Sequence, residues 1–277
     1  MKKKIYSLVV LGALLTAGTL QCFASGFEGE SSRWKTFEKI SFQVDGRAGH
    51  VVLPETPAEG NPWVWRARFP NWHTEVDLLL LEKGYSIGYI DVTKLFGSPT
   101  AVAHWDAFYA FMVSKGMSEK AVLEGVSRGG LICFNWAKKN PEKVACMYLE
   151  APVCDIKSWP GGKGTGKGAA NEWGQAQQIY GFDEAGLMEW NDNPIDNLGA
   201  LAAAKIPIYA AINLKDIIVP PEENSLELMR RYIALGGPFT VYPMTLGEQK
   251  ADGHHFTIER PDRIVDFIVT HTTSTKP

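Results

Sequence analysis

Apolar and polar positions alternate with a period of two through residues 37–54, in "TFEKISFQV" and then "HVVLP". Such alternation predicts two half-buried strands, and Asp45-Gly46 between them supplies a tight hairpin turn. "PWVWRARF" reads as a third strand. The period then changes. Thr74 caps an apolar helix, "EVDLLLLEK", that stops at Gly84. "YSIGYIDV" is a strand, and Ser98-Pro99 opens a helix that runs to Gly116. "KAVLEGVS" is a strand, "LICFNWAKK" a helix, "VACMYLEAP" a strand and "PIYAAINL" another. "EENSLELMRRYIAL" is a helix closed by Gly236-Gly237, "FTVYPM" the last strand, and Pro261 starts a final helix over "DRIVDFIVTH".

Strands alternating with helices from Trp63 onward predict an α/β fold. Its sheet should be mainly parallel, with helices on both faces and the first hairpin as an antiparallel edge. Residues 154–205, rich in Gly, Trp and Asn, interrupt the alternation and read as a short insertion over the active face. Residues 1–24 read as a signal peptide: Lys2, Lys3 and Lys4, an apolar run from Ile5 to Leu20, then small residues for cleavage after Ala24. The run is short for a membrane span, and Gln21 before Cys22 fits a lipoprotein signal poorly. The expectation is therefore a secreted or periplasmic protein, without stable membrane insertion, whose domain covers residues 25–277.

A net charge of -3 gives no basic field to attract nucleic acid. The cysteines left after cleavage, Cys133, Cys146 and Cys154, show no CxxC or Cys/His spacing, so no metal is expected. They read as small buried hydrophobes, with one disulfide as the alternative. "GGKGTGKG" at residues 161–168 nearly spells a phosphate loop. Gly168 stands where the hydroxyl belongs and no strand precedes it, so nucleotide binding is not expected.

The chemistry centres on "GVSRGG". Ser127 sits where a strand gives way to a helix, between Gly125 and Gly129, in a G-x-S-x-G pattern. The small flanking residues let strand and helix approach while the hydroxyl stands clear of the sheet. A serine needs a base. His254, in "ADGHHFTIERP", is favoured over His255, and His73 is expected to line the pocket. The base needs an acid to orient it. Asp216, just past a strand end in "AINLKDIIVPPEEN", is favoured over Glu150 in "YLEAP". The oxyanion is expected to meet the backbone N–H of Arg128 and a second donor at Arg66 or Ala67. The Arg128 side chain is open to two readings, a substrate contact or a surface ion pair. Trp159, Trp65 and Lys157 are the expected substrate contacts; Trp63, Trp72 and Trp173 lie in segments that also edge the pocket, although half or more of these tryptophans should be core.

Through "PWVWRARF", "YIDVTKLFGSP", "GVSRGG", "APVCDIKSWPGG" and "DIIVPPEEN" the chain resembles the α/β-hydrolase superfamily. Within it the chain is similar to secreted bacterial carbohydrate-type serine esterases. The resemblance implies a triad of Ser127, Asp216 and His254, no cofactor, and a small-molecule or polysaccharide ester as partner. The family pattern often has Gly-Asp where this chain has Asn213-Leu214, and GHHP where Phe256 replaces the proline. The Ser-Arg pair is shared with glucuronoyl esterases, but Leu131 takes the place of their lysine. A peptidase of the same fold and a non-catalytic glycan-binding protein are the alternatives. No sequence feature sets an oligomeric state.

Overall fold

The computed structural model describes residues 26–273. The expected signal peptide therefore lies outside the described residues. Among the described residues, eleven strands and eight α-helices follow in chain order. They begin with β1 (Glu30–Trp34), β2 (Phe37–Val44), β3 (Arg47–Leu53), β4 (Trp63–Arg66), α1 (Glu75–Glu82), β5 (Ser86–Ile90) and α2 (Pro99–Ser114). Next come β6 (Ala121–Val126), α3 (Gly129–Ala137) and β7 (Val144–Glu150). Then come α4 (Ala170–Tyr180), α5 (Glu184–Glu189), α6 (Gly199–Ala203), β8 (Ile208–Ile212), α7 (Ser225–Ala234) and β9 (Phe239–Pro243). A small ribbon of β10 (Gln249–Lys250) and β11 (His255–Phe256) precedes α8 (Pro261–Thr273).

Nine strands form one sheet in the order β1-β2-β3-β5-β4-β6-β7-β8-β9. The pairs β1–β2, β2–β3 and β3–β5 are antiparallel, and every other pair is parallel. Because a strand turns successive side chains to opposite faces, one residue in two feeds each core. Trp63, Trp65, Ala121, Leu123, Ile208 and Ala210 face the side covered by α2, α3 and α7. Val64, Val122, Tyr209 and Ala211 face the side covered by α1 and α8. A third cluster, with Leu131, Trp159, Trp173 and Leu187, holds the segment between β7 and β8.

Two elements went unread in the sequence. β1 is polar and mostly exposed, so it shows no apolar alternation. The β10–β11 ribbon is too short to carry a pattern. "PWVWRARF" is a strand only through Arg66, where the chain leaves the sheet. Cys133, Cys146 and Cys154 are buried and unpaired. Among the described residues no helix is long and apolar enough to cross a membrane.

Candidate active site

Ser127 follows the last residue of β6 and adopts φ +51°, a left-handed conformation that costs a residue with a Cβ of order 1–3 kcal/mol. Three backbone hydrogen bonds hold it there. Its N–H donates to Glu150 O at 2.8 Å, and its carbonyl accepts from Gly130 N at 3.0 Å and Val153 N at 2.9 Å. The glycines serve close packing. A Cβ on Gly125 would lie 3.0 Å from Cys133 Sγ, and one on Gly129 would lie 3.2 Å from Arg68 Cβ.

His254 reaches the serine from the turn between β10 and β11. Its Nε2 lies 2.8 Å from Ser127 Oγ, and its Nδ1 lies 2.7 Å from Asp216 Oδ2. With Nδ1–H donated to the carboxylate, Nε2 presents its lone pair to the hydroxyl. Asp216 is buried, and its Oδ1 accepts from the N–H groups of Ile218 and Val219, both at 2.9 Å. The acid and histidine loops are also tied together directly. Asn213 Nδ2 donates to Gly253 O at 2.7 Å, and Ile217 N–H donates to Asp252 O at 3.0 Å. Asn213 thus does structural work at a position where the similar family often has glycine. Phe256 pairs with Gln249 in the ribbon and buries its ring; a proline there would bring no N–H donor to the ladder.

The other candidates separate cleanly. His255 makes no bond to the serine; its ring packs 4.8 Å from Trp72. Burial, then the charges of His254 and His73, hold the His255 imidazole below its ordinary value. Glu150 does not reach His254. Its Oε1 lies 2.5 Å from His73 Nδ1, and its other oxygen is buried without a partner. The His73 ring stacks on Trp72 at 4.5 Å.

A cavity of about 320 Å³ opens over Ser127, lined by Phe69, Trp72, Arg128, Glu150, Trp159 and both loop histidines, among others. Trp159 was expected there. Trp65 was expected there too, but it is fully buried in the core, stacked 3.9 Å from Trp105. Strand periodicity turns it away from the cavity. Trp63 is likewise core, and Trp173 is buried in the third cluster. Lys157 does not line the cavity; its charge acts on Asp155.

The oxyanion candidates also need correction. The Arg128 N–H follows Ser127 at the start of α3 and has no acceptor among the described residues. Ala67 N–H already donates to Glu124 O at 2.9 Å. Arg66 ends β4, and its side chain is buried. The guanidinium pairs with Asp77 and, at 2.6 Å, with Glu124. Burial would pull Arg66 down, but the carboxylates of Asp77, Glu124 and Glu150 push it above its ordinary value. The same side chain donates to Phe69 O at 3.1 Å and to Trp72 O. Arg66 therefore shapes the loop beside the cavity without supplying a donor to it. The amides of Arg68 and Phe69 have no backbone acceptor among the described residues, and Phe69 lines the cavity at φ +53°. One buried basic residue amid two buried acids is legible only once β4, β6 and α1 are assembled.

No protein-family model matches the sequence, and no curated protein is significantly similar to it. Solved structures do match. The acylaminoacyl peptidase of Pyrococcus horikoshii superposes with a TM-score of 0.65 at 17% identity, over 88% of this chain and 43% of that one. This chain therefore spans less than half the length of that peptidase. The Pyrococcus furiosus esterase Pf2001 matches with a TM-score of 0.55 at 13% identity, over 88% and 98% of the two chains. EstE5, solved with PMSF, matches at 0.63 and 14%, over 88% and 87%. With its mainly parallel sheet, the helices on both faces and these neighbours, the chain has the α/β-hydrolase fold.

Proposed function

We propose that the protein is a secreted serine hydrolase that cleaves carboxylic esters, with acyl groups on carbohydrate as the substrate class. The observation that carries the hydrolase reading is the continuous Ser127–His254–Asp216 hydrogen-bond chain at the floor of an open cavity. Ser127 Oγ attacks the ester carbonyl while His254 Nε2 takes its proton. The tetrahedral oxyanion is met by the Arg128 N–H and by that of Phe69 or Arg68. His254 returns the proton to the leaving alcohol. It then takes a proton from water, which attacks the acyl-enzyme and frees Ser127. Asp216 fixes the tautomer and stabilises the imidazolium. Trp72 and Trp159 give the cavity aromatic walls suited to a sugar ring or an aromatic acyl group. The basic, then apolar, pattern of residues 2–20 supports export.

Labelling with a fluorophosphonate probe tests the mechanism. Wild-type protein should be labelled at Ser127, and Ser127→Ala should stay blank. A protein that binds glycans without catalysis would stay unlabelled in both forms. A peptidase is the second reading, favoured by the superposition on acylaminoacyl peptidase. Turnover of a 4-nitroanilide at a rate matching the corresponding 4-nitrophenyl ester would support it over the esterase.

A further inference from the structure

Arg128 directly follows Ser127, Arg68 shares a recess with it, and both carry more N–H donors than the described residues use. The Arg128 guanidinium lies over the Trp159 ring at 4.6 Å, and that of Arg68 lies over Phe69 at 4.3 Å. Stacking on aromatic faces holds both groups in place. The Nε of each is buried and has no hydrogen-bond partner among the described residues. Among the described residues no carboxylate lies within 4.0 Å of Arg68, and Arg128 has only Glu172, at 4.0 Å. The Arg68 side chain donates to the Tyr89 hydroxyl, and Asp91 feels the Arg68 charge while its Oδ1 accepts from Thr93 N–H. Burial and then the like charge of Arg68 pull Arg128 below its ordinary value. Two stacked cations with idle donors are costly unless an anion joins them.

We propose that Arg68 and Arg128 form an anion subsite that selects esters whose acid half carries a second, free carboxylate. This rests on the ester-hydrolase reading above. The acid half is assigned by the direction of proton transfer. The leaving oxygen must face His254 Nε2 to be protonated, so the alcohol half lies toward the histidine loop. The two arginines share a narrow recess with Thr93, Phe96 and Gly97, and no residue of the histidine loop lines it. The Glu150 carboxylate lines the main cavity with His254 and His255, which further disfavours an anion on the alcohol side. An acid half with its own carboxylate therefore carries that charge toward the side of the cavity where Arg128 and Arg68 lie, and a guanidinium fork matches a carboxylate.

The test compares mono-4-nitrophenyl glutarate with 4-nitrophenyl pentanoate, which match in length and leaving group. Wild type should favour the glutarate in kcat/KM by about tenfold or more at low ionic strength, and added NaCl should erode the preference. Arg68→Gln and Arg128→Gln should each cut that ratio by about fivefold or more, mainly through KM, while Arg68→Lys keeps part of it. A wild-type ratio near one, or a ratio unchanged in both glutamine variants, would overturn the subsite. Titration calorimetry of glutarate into Ser127→Ala protein reads binding without turnover. Binding that either glutamine substitution abolishes supports the subsite, and no binding overturns it. The two readings can fail separately. A protein unlabelled by fluorophosphonate that still binds glutarate through the arginines loses only the hydrolase assignment. A labelled enzyme indifferent to the charged ester loses only the anion subsite.

Discussion

His254 Nδ1 stands 2.7 Å from Asp216 Oδ2, while its neighbour His255 packs against Trp72. Adjacent in sequence, the two imidazoles are divided by the β10–β11 ribbon: one is in the turn and the other in a strand. His254→Ala should lower kcat for a 4-nitrophenyl ester by roughly 10⁴-fold or more, and Asp216→Asn by a similar factor. His255→Ala should keep activity within about tenfold of wild type, because no proton passes through it. Steady-state kinetics on the three variants checks this. The reverse ranking of the two histidines would discard the proposed base.

Ser127 at φ +51° predicts a trade between stability and activity. Glycine tolerates that conformation and alanine does not. Ser127→Gly should therefore be more stable than Ser127→Ala by about 1 kcal/mol, with both inactive. Urea midpoints at neutral pH measure the gap. Equal midpoints would show that the turn holds no strain at this residue.

Stability should also depend on pH through His50. Burial, and then the Lys39 charge, push its imidazole down to about 4. The unfolded chain binds a proton near pH 6.5, so between about pH 6.5 and 4 it holds more protons than the folded chain. This contribution is complete above pH 6.5 and is lost as pH falls toward 4, by on the order of 2–3 kcal/mol. Urea denaturation of His50→Gln at pH 7 and pH 4.5 should show a shallower loss than wild type. An identical loss would remove His50 from the account.

Trp65 and Trp159 should respond oppositely to truncation. Trp65→Ala leaves a large hole among Trp63, Trp105 and Trp136 and should cost about 3–5 kcal/mol of stability. Trp159→Ala removes a cavity wall and the face beneath Arg128, and should chiefly raise KM. Thermal melts paired with kinetics separate the two. A Trp65→Ala protein with wild-type stability but a raised KM would return Trp65 to the cavity.

The sequence by itself determined most of the element order. The period-two pattern of Phe37–Val44 and the helical pattern along Pro99–Ser114 reflect burial that local spacing imposes. It also singled out Ser127 as the candidate nucleophile, because Gly125, Ser127 and Gly129 fall between a predicted strand and a predicted helix. It kept His254 beside His255, and Asp216 beside Glu150, as candidates. What chose among them is tertiary. Gly253 lets the histidine turn lie close against the acid loop, because a Cβ there would collide with Lys215 O. Glu150 is drawn instead to His73, from a segment 77 residues earlier. Ala67 spends its N–H on β6, and Arg66 buries its charge between Asp77 and Glu124. Such outcomes depend on which distant strand lies alongside. Local pattern fixes which residues are buried, and long-range pairing fixes which polar groups each one meets.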